Sequence, residues 1–274
     1  LTLDEMLKAI AVGSANDCAV AVAEHISGSE EKFVERMNRR AKELGLENTH
    51  FSNCSGLFDD GAHFTTAYDV ALMSRELLRH EQIKQYTTIW MDTVRNGQFG
   101  LANTNKLVRF YDGTTGLKTG FTAAAGYCLA ASAERGGMEL IAVVMHCDTS
   151  AHRFEAAKAM LNYGFSSYAL AQPPADVQIP SVPVVLGHEE AVTPVLREAK
   201  PVLIDKSLAA QLSSEVSVDP AVTAPVEKWQ RLGTLTMRAG DGVIAELPLV
   251  APEAVARLTW WDVFRRLLRG VCMG

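Results

Sequence analysis

The chain has 274 residues, with 26 Lys+Arg against 32 Asp+Glu and a formal net charge of −6. Hydrophobic residues make up 48% and charged residues 21%, a globular composition that excludes disordered and fibrous classes, and the mildly acidic balance offers no overall field for nucleic acid. No apolar run approaches the roughly 18 residues a membrane span needs, and the length suggests about two domains.

Thr2-Leu3-Asp4-Glu5 reads as a capping box for a helix carrying Met6, Leu7, Ile10 and Ala11. Gly13-Ser14-Ala15-Asn16 breaks that helix, and residues 17–26 resume the apolar helical pattern. Ser29 caps a helix with Phe33, Val34, Met37, Ala41 and Leu44, which Gly45 stops. Thr65 or Thr66 starts another, with Val70, Leu72, Met73, Leu77 and Leu78. The period then changes: residues 126–133 and 138–145 are apolar runs joined by Glu134-Arg135-Gly136-Gly137, a predicted β-hairpin. A helix with Phe154, Ala157, Met160 and Leu161 is expected to end at Gly164. Helices, a hairpin and a covering helix predict an α+β fold, an antiparallel sheet packed with helices.

All ten prolines lie after residue 172. Proline is excluded from helix interiors and central strands, so the two parts of the chain differ in kind. Residues 171–175, Ala-Gln-Pro-Pro-Ala, read as a linker, and short β-branched runs separated by turns follow, with Gly240-Asp241-Gly242 as a turn near their end. The expected domains are 1–170, a β-sandwich over 176–252, and a terminal helix over 255–274. Five scattered cysteines without a Cys-x-x-Cys pair argue against a zinc site and a disulfide framework. His25, His50, His63, His80, His146 and His188 have no ligand spacing, so neither metal nor cofactor is expected.

Two short motifs could carry chemistry. Ser14-Ala15-Asn16 lies in a helix break and alone reads first as a helix cap. Lys118-Thr119-Gly120 follows the turn-rich stretch 112–116 and alone reads first as a solvated turn. In this order and context the pair resembles two of the three motifs of penicillin-recognising serine enzymes. The stretches 1–26, 37–51 and 63–69, together with 112–129, are similar to serine-type D-alanyl-D-alanine carboxypeptidases, the low-molecular-mass penicillin-binding proteins.

The resemblance implies a transpeptidase-like catalytic domain that removes the terminal D-Ala from peptidoglycan pentapeptide stems through a serine acyl-enzyme. β-Lactams would be its inhibitors and the outer face of the bacterial cytoplasmic membrane its location. By the same resemblance Ser14 is the proton shuttle, Asn16 a contact to the substrate backbone, and Lys118 a positive charge beside the active serine. Thr119 and Arg153 would bind the substrate carboxylate; Gly120 would admit the ligand and the Phe121 N–H would donate to the oxyanion. Arg153 reads equally as a solvated residue in the first turn of a helix. The family's Ser-x-x-Lys nucleophile motif precedes Ser-x-Asn, yet the first thirteen residues contain no serine; Ser29-Glu30-Glu31-Lys32 comes later and reads as a cap. The expectation is therefore an N-terminally truncated chain, inactive alone. A non-catalytic peptidoglycan-binding or scaffolding relative and a β-lactamase-like hydrolase are the alternatives.

Trp260, Trp261, Val263, Phe264, Leu267, Leu268 and Val271 fall within one helical arc of about 160°, opposite Asp262, Arg265, Arg266 and Arg269. This pattern suits an interfacial helix on anionic lipid, so residues 256–274 are expected to touch a membrane surface; docking on the β domain is the alternative.

Overall fold

The computed structural model describes residues 1–58, 60–174 and 176–265. The chain divides into two compact units, Leu1–Ser166 and Ser167–Gly274.

In the first unit α1 (Leu3–Lys8) opens on a complete capping box. The Glu5 N–H donates to Thr2 Oγ1 at 3.2 Å, and the Thr2 N–H donates to the Glu5 carboxylate at 2.9 Å. The chain passes through a π-type turn, Ala9–Gly13, and leaves it at Ser14 in the left-handed conformation, φ +59°. Next come α2 (Asn16–Ser27) and α3 (Glu30–Glu43). Ser29 Oγ accepts from the Lys32 N–H, so the literal Ser-x-x-Lys is a helix start. Thr66 caps α4 (Ala67–Leu78), whose buried Asp69 accepts from the Asn48 N–H and the Thr49 hydroxyl and ties the preceding loop down.

A short α5 (Lys84–Thr87) leads to the hairpin β1 (Met91–Val94) and β2 (Phe99–Ala102), then to α6 (Leu107–Phe110). Three antiparallel strands follow, β3 (Thr114–Thr122), β4 (Gly126–Arg135) and β5 (Met138–Cys147), covered by α7 (Ser150–Ser167). Leu129, Ala131 and Ala133 of β4 and Ala142 of β5 pack with Phe154, Ala157 and Leu161 of α7 into one core, and β3 lies at one edge of the sheet. The expected stop at Gly164 is corrected. The helix runs on to Ser167, and a Cβ at Gly164 would lie 2.5 Å from Leu140 Cδ1, so that glycine lets helix and sheet approach.

The second unit begins earlier than the linker reading places it. Ala171 is buried in β6 (Tyr168–Ala171), because alternation from Tyr168 pairs that segment in full with β10 (Val202–Asp205). Strands β7 (Val182–Val185) and β8 (Ala191–Val192) are joined by β12 (Val222–Thr223). The other main sheet has the order β11 (Leu212–Val218), β13 (Arg231–Ala239), β14 (Gly242–Val250) and β9 (Val195–Leu196). Val182 and Val184 of β7 and Val192 of β8 pack with Val226 and with Leu232 of β13 into the unit's principal core. A helical segment over 260–265 carries Trp260, Trp261 and Phe264 as an exposed cluster of three rings; residues 266–274 of the proposed interfacial helix lie outside the described residues. Among the described residues no helix is long and apolar enough to cross a membrane.

Candidate active site

The two motifs, 104 residues apart in sequence, meet in space: the Lys118 ammonium donates to Ser14 Oγ at 2.9 Å and to the Thr119 carbonyl at the same distance. Two local features allow this. The π-type turn, a form common at functional sites, ends by turning Ser14 into left-handed backbone, and β3, lying at the sheet edge, leaves Lys118 room to reach it. The left-handed conformation costs a non-glycine residue on the order of 1 kcal/mol.

Burial, and then the nearby Arg153 guanidinium, push the Lys118 amine down to about 8. The repulsion falls on lysine because it titrates first; at the pH where an arginine would lose its proton the lysine is already neutral. Arg153 is only 7% exposed, which contradicts the reading of a solvated helix-turn arginine. It reaches from α7 to donate to the Gly120 and Cys128 carbonyls at 3.1 and 3.3 Å and to Ser150 Oγ at 3.3 Å. Its Nε is buried with no hydrogen-bond partner among the described residues.

Phe121 is largely exposed and lies on Tyr127, ring centroids 4.3 Å apart, while the Arg153 guanidinium stands 5.3 Å from the other ring's centroid. Arg153, Tyr127 and Phe121 thus form a short stack beside Gly120. Asn16 opens α2 half-buried and no hydrogen bond joins its side chain to the other candidates among the described residues.

Sequence reasoning missed the loop Asn103-Thr104-Asn105 between β2 and α6. The Thr104 N–H donates to the Val12 carbonyl at 3.2 Å, and Thr104 Oγ1 accepts from Thr119 Oγ1 at 2.7 Å. One residue therefore touches both the chain leading to Ser14 and the strand of Lys118. Its neighbours are buried amides: Asn103 donates to the Ile89 carbonyl and accepts from the Asn105 N–H, and Asn105 accepts from the Leu107 N–H. The available signal was an Asn-x-Asn between apolar runs, since buried amides mark a backbone that must be held. Among the described residues no group of three or more His, Cys, Asp or Glu could hold a metal ion.

Chemically, the arrangement pairs a hydroxyl able to donate and accept with an amine easily deprotonated, beside a buried guanidinium and an edge strand. Residues 1–149 match the family model described as D-alanyl-D-alanine carboxypeptidase, and residues 174–257 match the C-terminal domain of penicillin-binding protein 5. The chain is 39% identical to the D-alanyl-D-alanine carboxypeptidase DacF of Bacillus subtilis, over 98% of this chain and 70% of that protein. Penicillin-binding protein 5 of Haemophilus influenzae superposes with TM-score 0.76 at 28% identity, over 94% of this chain and 75% of that one. Penicillin-binding protein D2 of Listeria monocytogenes, solved in a cefotaxime-bound form, gives 0.57 at 34% identity, over 60% of this chain and 67% of that one.

Proposed function

The chain belongs to the D-alanyl-D-alanine carboxypeptidase family, and on that premise we propose that its first unit carries the proton-shuttle and substrate-binding side of a serine acyl-transfer site acting on peptidoglycan stems. The observation that carries this reading is the Lys118–Ser14 bond, which joins the two motifs into one site.

Removing a terminal D-Ala through an acyl-enzyme needs a serine nucleophile, a proton path to the leaving amine, donors for the oxyanion and an anchor for the free carboxylate. Ser14 is the shuttle, its hydroxyl passing a proton towards the leaving amine. Lys118, cationic at neutral pH but easily deprotonated, orients that hydroxyl and stabilises negative charge near it. Asn16 contacts the substrate backbone. Thr119 binds the terminal carboxylate with Arg153 behind it, and Gly120 lets the peptide backbone approach. The Phe121 N–H supplies an oxyanion donor. Arg153 donates from Nη1 to both the Gly120 and Cys128 carbonyls and from Nη2 to Ser150 Oγ, so its contribution to the carboxylate is the field of a charge fixed beside the strand. The acylating serine is assigned to no residue of this sequence, since none of residues 1–13 is serine and Ser29 is a helix cap.

The β unit and the exposed Trp260, Trp261 and Phe264 support a peripheral place on the outer face of the cytoplasmic membrane, with residues 256–274 touching the lipid surface. The decisive experiment fuses the N-terminal segment of DacF, up to its alignment with Leu1, to this chain. Release of D-Ala from a D-Ala-D-Ala peptide and a covalent penicillin adduct on the grafted serine are expected, whereas the 274 residues alone form no adduct. Rapid clearance of penicillin without D-Ala release would favour a β-lactamase-like hydrolase. A folded fusion that neither releases D-Ala nor is acylated would favour a non-catalytic peptidoglycan-binding relative.

A further inference from the structure

We infer that Thr104 is a specificity-determining partner of Thr119, turning that hydroxyl into a donor tuned to a free carboxylate; the inference rests on the site reading above. In the ligand-free chain Thr119 Oγ1 donates to Thr104 Oγ1 at 2.7 Å. With its proton held there, Thr119 presents lone pairs towards the strand edge, and lone pairs repel a carboxylate. For Thr119 to bind one, the pair must reverse: the Thr119 proton turns out to the anion and the Thr104 proton turns in to Thr119 Oγ1. No bond to hydrogen breaks; two hydroxyl rotors change direction.

Thr104 is equipped for that reversal. Its hydroxyl accepts from Thr119, and no residue among those described accepts its proton. Its backbone is held from both sides, the N–H on the Val12 carbonyl and the flanking amides of Asn103 and Asn105 buried in the loop. A hydroxyl that itself accepts a hydrogen bond is a better donor, so the chain Thr104 to Thr119 to carboxylate is stronger than Thr119 alone. A neutral amide cannot draw the same response, because hydrogen bonds to charged groups are worth roughly twice those to neutral ones. Thr104 thus sharpens discrimination between an acid and an amide terminus and also braces the two motif-bearing segments.

The test titrates the 274-residue chain with an N-acylated peptide ending in D-Ala-D-Ala, as the free acid and as its C-terminal amide, following the amide signals of β3 by NMR. The unmodified chain should prefer the acid. Thr104→Val should reduce that preference about five- to tenfold, one hydrogen bond's worth, chiefly by weakening the acid. Thr104→Ser should restore it, and Thr104→Val should add nothing in a Thr119→Val background. Thr104→Ala replaces the valine variant if the extra methyl disturbs the fold. Undiminished acid preference in folded Thr104→Val or Thr104→Ala overturns the role of Thr104 and leaves the site reading standing. No acid preference in the unmodified chain overturns the reading of Thr119 and this inference with it.

Discussion

Lys118→Met should make the first unit more stable near neutral pH, and less so as the solution becomes alkaline. Lys118 titrates near 10.5 in the unfolded chain and at about 8 in the folded site. Below about 8 both states carry the proton and the folded state bears the full penalty of a buried ammonium facing Arg153. Between about 8 and 10.5 the folded state holds fewer protons than the unfolded one, so the wild-type chain gains stability as pH rises and the penalty fades. At ~1.36 kcal/mol per pH unit of difference, the penalty approaches about 3 kcal/mol near pH 7 and falls to about 1 kcal/mol near pH 9.5. Methionine escapes it but forfeits the bonds to Ser14 Oγ and the Thr119 carbonyl, about 1 kcal/mol each. The net is a gain of about 1 kcal/mol near pH 7 and a slight loss near pH 9.5. Urea unfolding of both proteins at the two pH values, read from the methyl signals of Leu129 and Leu161 behind the sheet, measures the difference with other titrations cancelled. Parallel stability profiles, with the variant-minus-wild-type difference constant within about 0.5 kcal/mol, would show that the lysine is not held below its ordinary range and would refute the electrostatic account.

Arg153→Met should raise the Lys118 titration midpoint above about 8 yet leave it short of 10.5, because burial is the larger cause and charge repulsion the smaller; an NMR titration of the lysine Cε that returned to the ordinary value would reverse that order. In the second unit, Gly233→Ala sets a Cβ 2.4 Å from the Ser217 carbonyl oxygen and 2.9 Å from Val218 Cα, both backbone atoms of the neighbouring strand. A loss of about 1–3 kcal/mol is expected, and thermal unfolding that leaves the unit's Tm unchanged would mean that the strands separate there at little cost. Replacing Trp260, Trp261 and Phe264 together by serine should abolish co-sedimentation with anionic vesicles; undiminished co-sedimentation would place the membrane contact elsewhere.

What the chain discloses of itself before folding is mostly local. The capping box at Thr2 and Glu5, the caps at Ser29 and Thr66 and the hairpin of β4 and β5 depend on residues a few positions apart, and each forms where the sequence pattern puts it. Gly45, at φ +73°, stops α3 for the reason glycine usually does. Gly164 carries the same letter but answers to Leu140, a neighbour 24 positions away that no local pattern reveals. Thr104 escaped notice for the same reason: its meaning lies in Val12 and Thr119, which the fold brings to it. The Ser14 and Lys118 motifs were recognisable as a resemblance, whereas their joining bond is a property of the folded site alone.

The unfavourable features of the first unit are unevenly placed. Ser14 is left-handed, Lys118 is a partly buried charge pushed towards neutrality, Arg153 keeps an unpartnered buried Nε, and Asn105 has a buried amide nitrogen without a partner among the described residues. All four belong to the motif-bearing turn, the strand β3 or the segments bonded to them, while the core beneath is aliphatic and its helix starts are capped. Each costs stability, and strain or desolvation of this kind persists only where the surroundings over-determine it. A site selected for stability alone would have glycine or asparagine at the turn and an apolar residue for the lysine. Methionine at 118 is expected to stabilise the unit while severing the direct bond between the Ser14 turn and β3. On the proposed reading, the same residue is therefore costly to the fold and central to the site.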